Sequence, residues 1–148
     1  MRVSVIGGGN AGEADLKRAR EVGRLVAEAG HDLVCGGRGG VMAAACAGAK
    51  EAGGTTIGIL PGEDRGGANE HVDVAIATGL GHARNALVPL NGDAVIAIEG
   101  GHGTLSELGY AGIYDRPVAG LGTHDVDGVY AADSPRDAVA YVTDALGE

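Results

Sequence analysis

Three glycine clusters interrupt this chain, and each sits where a short apolar run stops and a longer amphipathic stretch begins: Gly7-Gly8-Gly9-Asn10-Ala11-Gly12, Gly36-Gly37-Arg38-Gly39-Gly40 and Gly100-Gly101-His102-Gly103-Thr104. Glycine at the end of a strand permits a tight turn and lets a neighbouring backbone or a ligand approach closely. A strand that ends this way and re-enters as a helix is the unit of a parallel sheet, because parallel neighbours need a crossover long enough to hold a helix. The spacing predicts strands over residues 3–6, 33–35, 55–60, 72–77, 94–98 and 117–121. Between them it predicts helices over 14–29, 40–52, 81–90, 105–114 and 135–146. Ala19, Val22, Val26 and Ala29 share one face of the first helix, Gly30 stops it, and Ser134 is placed to cap the last. The stretch 62–70 reads as a surface loop.

This alternation predicts an α/β, Rossmann-like three-layer fold: a mostly parallel sheet with helices on both faces. No repeat or linker divides it, so residues 1–148 are expected to form one domain. In such sheets ligands bind beyond the carboxyl ends of the strands.

Charge narrows the partners. Twenty acidic residues against 11 basic ones give a net charge of −9, a field that repels nucleic acid and anionic membranes. No apolar run approaches a bilayer span. The start, Met1-Arg2-Val3-Ser4-Val5-Ile6, runs straight into a glycine turn and reads as a strand rather than a signal peptide, so a cytoplasmic protein is expected. Cys35 and Cys46 have neither metal-ligand spacing nor a disulfide framework and read as buried small hydrophobes. His124-Asp125-Val126-Asp127 reads as a polar turn, and no metal site is expected.

The three loops carry unequal information. The first matches the dinucleotide fingerprint G-x-G-x-x-G. That fingerprint also needs an acid at the far end of the second strand to hold a ribose, and Cys35-Gly36 stands there. Gly8 and Gly9 are therefore read as a tight turn that lets a ligand come close. In the second loop, Gly36, Gly37, Arg38 and Gly40 precede a helix opening with Val41-Met42, which offers free N–H groups and a positive dipole end to an anion. The third loop, Gly100, Gly101, His102, Gly103 and Thr104, continues into Leu105-Ser106-Glu107. Successive N–H groups pointing into such a turn suit a phosphate. The same residues also fit a capping box, with Thr104 as N-cap and Glu107 three residues on. The two readings are compatible.

Taken together, Gly36-Gly37-Arg38-Gly39-Gly40-Val41-Met42 and Gly100-Gly101-His102-Gly103-Thr104-Leu105-Ser106-Glu107 resemble the Lonely Guy superfamily, long mislabelled as lysine decarboxylases. The resemblance implies a Rossmann-like homo-oligomer, dimer or tetramer, that binds a small phosphorylated ligand. It also implies hydrolysis of the N-glycosidic bond of nucleoside 5′-monophosphates, with Arg84 and Glu107 matching the catalytic pair. Two positions differ from the family pattern: Glu99 replaces a proline, and Asn85 a lysine. The stretches 48–62 and 78–85 are similar to a second branch, which includes molybdenum cofactor carrier proteins. That branch implies non-enzymatic binding of molybdenum cofactor, a phosphorylated pterin, as cargo.

Overall fold

The computed structural model of the protein describes residues 1–147. Its seven strands are β1 (Arg2–Gly7), β2 (Asp32–Cys35), β3 (Thr56–Leu60), β4 (Val74–Ala77), β5 (Ala94–Ile98), β6 (Val118–Leu121) and β7 (Val129–Ala131). They form one sheet in the order β4-β3-β2-β1-β5-β6-β7, with every neighbouring pair parallel. The α/β reading therefore holds, with no antiparallel pair among the described residues.

Alternation within the strands explains why both faces are covered. Along β5, Ala94, Ile96 and Ile98 enter one apolar cluster, while Val95 and Ala97 enter the other. The first cluster is closed by α1 (Glu13–Glu28), α2 (Val41–Glu51) and α5 (Pro135–Ala145). The second is closed by α3 (Leu87–Leu90) and α4 (His102–Ile113). A strand buried on both sides must read as a continuous apolar run, and β5 does.

Helices α1 and α2 pack almost backbone to backbone. A Cβ on Gly23 would overlap the Ala45 carbonyl oxygen, and one on Gly48 would overlap that of Arg20. Glycine is needed at both positions for space, not for backbone angle. The final helix starts as expected: Ser134 accepts the Asp137 N–H at 3.0 Å, and Pro135 takes the first position.

Three local expectations change. The segment 81–90 is a 3₁₀ stretch, Gly81–Ala86, followed by the short α3, because Gly81 has a positive φ of 60° and Pro89 lacks an N–H. Strand β7 was not foreseen; three residues between Gly128 and Ala132 carry too short a pattern, yet they pair with β6 through Val118↔Val129 and Gly120↔Ala131. Helix α4 begins at His102 rather than Leu105, for reasons that belong to the site.

Gly23→Ala and Gly48→Ala should each destabilise the protein by about 2 kcal/mol through overpacking, lowering Tm by roughly 5 °C. An unchanged thermal melt would mean the two helices separate without cost.

Candidate functional site

The order of the sheet reverses between β1 and β5, and the register Gly7↔Ile98 sets their carboxyl ends side by side. The chain leaves β1 toward α1 and leaves β5 toward α4, on opposite faces. A crevice opens where they part. It is a cavity of about 400 Å³ walled by all three glycine loops: Gly8 and Gly9, Gly36 with Met42, and Gly101, Gly103 and Thr104. Arg84, Asn85 and Glu107 complete the wall.

The third loop is tighter than its sequence suggests. Glu99 takes a left-handed φ of 52° and Gly100 a φ of 113°, so the chain turns within two residues. Gly101 is the N-cap of α4 and no side chain caps it. Thr104 is thus the third residue of the helix, buried, with its side chain beneath Gly100, where any Cβ would overlap Oγ1. The capping box does not form, since the box needs Thr104 before the helix and not inside it. The first-turn N–H groups of α4 have no intrahelical partner, and Gly103 and Thr104, which carry two of them, line the cavity. Their positive dipole end attracts an anion.

Arg84 is held by backbone from two directions. Its Nε donates to the Ile59 carbonyl at 2.9 Å and Nη2 to that of Gly36 at 3.2 Å, while Nη1 donates to Asn85 Oδ1. Asn85 in turn donates from Nδ2 to Ser106 Oγ at 3.2 Å, and Ser106 donates to the Gly103 carbonyl at 2.6 Å. A continuous chain of hydrogen bonds therefore joins the guanidinium to the start of α4. Sequence reasoning missed Asn85 and Ser106 as parts of the site: Asn85 was marked only as a replaced lysine beside Arg84, and Ser106 only as the neighbour of Glu107. The bonds from Arg84 use three of its five guanidinium N–H groups and fix the plane of the side chain.

Glu107 projects from the next turn of α4 and is only 7% exposed. Burial pushes its pKa up from the usual 4.5 to about 8, and the nearby Arg84 charge offsets only part of that rise. Burial likewise lowers the Arg84 pKa, with Glu107 opposing, but a guanidinium stays charged at neutral pH. Near neutral pH this favours the protonated carboxyl group beside the Arg84 cation.

The other residues singled out from sequence lie just behind or outside the cavity wall. Gly37 packs on Gly58 and Leu60, and its carbonyl accepts the Asn69 N–H at 2.9 Å. Gly40, at φ 61°, presses against the backbone of Gly8 and Gly9. Arg38 is exposed, and its carbonyl accepts from Asn69 Nδ2 at 2.8 Å. His102 is exposed at the first turn of α4. His124, expected in a plain polar turn, reaches back so that Nε2 lies 3.0 Å from the Gly101 carbonyl. Cys35 and Cys46 are buried as free thiols with their sulfurs 3.5 Å apart, and the Gly37 N–H donates to Cys35 Sγ at 3.3 Å. Among the described residues, no helix is long and apolar enough to cross a membrane.

A parallel sheet whose switch-point crevice is walled by glycine loops and carries an arginine and a glutamate defines a Rossmann-like protein of the Lonely Guy type. The chain belongs to the SLOG cluster4 family, whose model matches residues 1–145. It is 42% identical over 142 residues to an uncharacterized protein of Archaeoglobus fulgidus, covering 95% of this chain and 93% of that one. It is 36% identical over 112 residues to the cytokinin riboside 5′-monophosphate phosphoribohydrolase of Mycobacterium tuberculosis, covering 70% of this chain and 60% of that enzyme. The chain thus spans well under two thirds of that enzyme's length. Among solved structures, the molybdenum cofactor binding protein of Rippkaea orientalis superposes with a TM-score of 0.92 at 39% identity, over 98% of this chain and 96% of that one. The molybdenum cofactor carrier protein of Chlamydomonas reinhardtii gives 0.89 at 37%, over 99% and 98%.

The raised pKa of Glu107 has a consequence for stability. Between about pH 4.5 and pH 8 the folded protein holds a proton that the unfolded chain releases, so this residue's contribution to stability falls as pH rises through that window. Glu107→Gln removes that slope. Thermal melts should show the variant gaining on the wild type from about pH 5 to pH 8; parallel curves would mean that Glu107 is not held protonated.

Proposed function

We propose that the cavity binds a small phosphorylated ligand, phosphate toward the start of α4, and that the protein is a nucleoside 5′-monophosphate phosphoribohydrolase. The observation that carries this reading is the buried Glu107, whose pKa burial raises to about 8, set one turn from the uncapped start of α4 in the same cavity as Arg84. Breaking the bond from C1′ to the base leaves an electron pair on the base nitrogen, which Glu107 protonates. The resulting carboxylate stabilises the oxocarbenium-like sugar and takes a proton from the water that attacks C1′. That returns Glu107 to its starting form, with free base and ribose 5-phosphate as products. Arg84 draws on its free N–H groups to clamp phosphate or ribose oxygens.

A second reading, a carrier of molybdenum cofactor, is supported by relatives aligned over nearly their whole length. There the cofactor is cargo: its phosphate would take the same helix start, and Glu107 would not turn over. Either reading needs no resident cofactor.

The protein is also proposed to be a homo-oligomer. The outer side of α4 exposes Leu105, Tyr110 and Ile113, the last at 72%, beside Leu90 of α3. An apolar helix face next to a cavity suits burial against a second copy. Light scattering should give a mass above one chain, and Ile113→Asp should lower it; a monomeric wild type would contradict this.

Incubation with AMP and cytokinin riboside monophosphates should release free base, and Glu107→Gln should slow release by about 100-fold or more. Absence of base release, with tight binding of molybdenum cofactor that Glu107→Gln leaves intact, would establish the carrier instead.

A further inference from the structure

Cys35 and Cys46 are nucleophilic side chains that the chemistry above leaves idle, and the fold sets them against each other. Cys35 ends β2 and Cys46 lies midway along α2, yet their sulfurs are 3.5 Å apart. A disulfide needs that gap to close to about 2.05 Å. The contact is polar as well as apolar. The Gly37 N–H donates to Cys35 Sγ at 3.3 Å, and the Arg84 charge acts on the same thiol. The Cys46 hydrogen bond, that N–H and that charge lower the Cys35 pKa against the opposing effect of burial, and the same sulfur contact raises that of Cys46. A thiol favoured as thiolate beside one kept protonated is the arrangement of an attacking and a resolving cysteine. Both are buried, but thinly on the cavity side. Gly36, bonded to Cys35, lines the cavity without a side chain, and Met42, packed on the apolar cluster that holds both thiols, lines it too.

We propose that Cys35 and Cys46 form a reversible disulfide when a hydroperoxide enters the cavity, and that the bond loosens the hold on Arg84. The effect on Arg84 matters for binding only if the cavity is the ligand site, as read above; the disulfide itself does not depend on that reading. With hydrogen peroxide, the Cys35 thiolate attacks one oxygen, the O–O bond breaks, and the leaving hydroxide takes up the thiol proton as water. Cys46 then attacks the sulfenic sulfur, the S–O bond breaks, and the Cys46 proton leaves with it as a second water. Two thiols are oxidised and one peroxide is reduced to two waters. Closing the bond moves Cys35 rather than Cys46. Helix α2 is locked onto α1 at Gly23 and Gly48, with no room to slide, whereas Cys35 runs into Gly36 and Gly37. The Gly36 carbonyl accepts from Arg84 Nη2 at 3.2 Å, so a shift there takes an anchor from the guanidinium.

The test treats the folded wild type with hydrogen peroxide, then unfolds it and alkylates the remaining thiols. Both cysteines should be alkylated before treatment and neither after it, with the chain still monomeric on a non-reducing gel, and dithiothreitol should restore both. Calorimetry should show the oxidised protein binding AMP about tenfold more weakly, as expected for one lost hydrogen bond to a charged group. Dithiothreitol should recover that affinity, which separates the disulfide from sulfoxide formation at Met42. Cys46→Ala should bind AMP as the reduced wild type does, and after peroxide its Cys35 should react with dimedone as a sulfenic acid. Thiols that survive peroxide in the folded wild type, or that oxidise without a bond between them, overturn the proposal. A disulfide that leaves AMP affinity unchanged overturns the coupling to Arg84. A reduced wild type that binds no AMP overturns the reading of the cavity and leaves the disulfide standing.

Discussion

The contact between the ends of β1 and β5 governs the rest of this molecule. At Gly7 a Cβ would meet the Ile98 carbonyl and the Val41 side chain, so the two strands and the start of α2 converge on a point with no room for a side chain. From there the chain diverges to opposite faces, and the crevice follows from that divergence. Gly40 continues the same packing, since its Cβ would strike the backbone of Gly8 and Gly9. The glycines are thus divided between those that let backbones touch and those that line the cavity. Gly36 belongs to both sets: it lines the cavity, and a Cβ there would press on the Arg84 guanidinium and Met42.

Electrostatics gives the crevice its direction. The chain carries a net charge of −9, yet the cavity wall gathers the positive end of α4 and Arg84. Burial keeps Glu107 from adding a negative charge at neutral pH. An anion is favoured on that wall. The proton on Glu107 also separates the two functional readings. Hydrolysis transfers that proton, whereas a carrier only needs it to keep charge out of the site.

Much of this was legible in the sequence because strand–glycine–helix alternation is a local signal, and each of the six expected strands overlaps an observed one. β7 escaped because three residues in a stretch of Asp and Gly make no pattern on their own; its partner in β6 defines it. The start of α4 was placed late because the usual sign of a helix start is a capping side chain, and Gly101 has none. Arg84 and Glu107 were found through family motifs, and the fold brings them to one cavity. Asn85 showed only as a replaced lysine and Ser106 only as part of the loop motif, and their link stayed hidden because the bond joining them spans 21 residues of chain. Glu99 was visible only as a replaced proline. Proline could not adopt its positive φ, so the substitution marks a different turn as well as a different side chain.

A crystal structure in complex with a nucleoside 5′-monophosphate tests the central claim most directly. The account predicts the phosphate on the N–H groups of Gly103 and Thr104, with the sugar between Gly8 and Glu107 and the Arg84 guanidinium facing the same ligand. A phosphate bound away from the start of α4, or a ligand that leaves Arg84 and Glu107 out of contact, would contradict it.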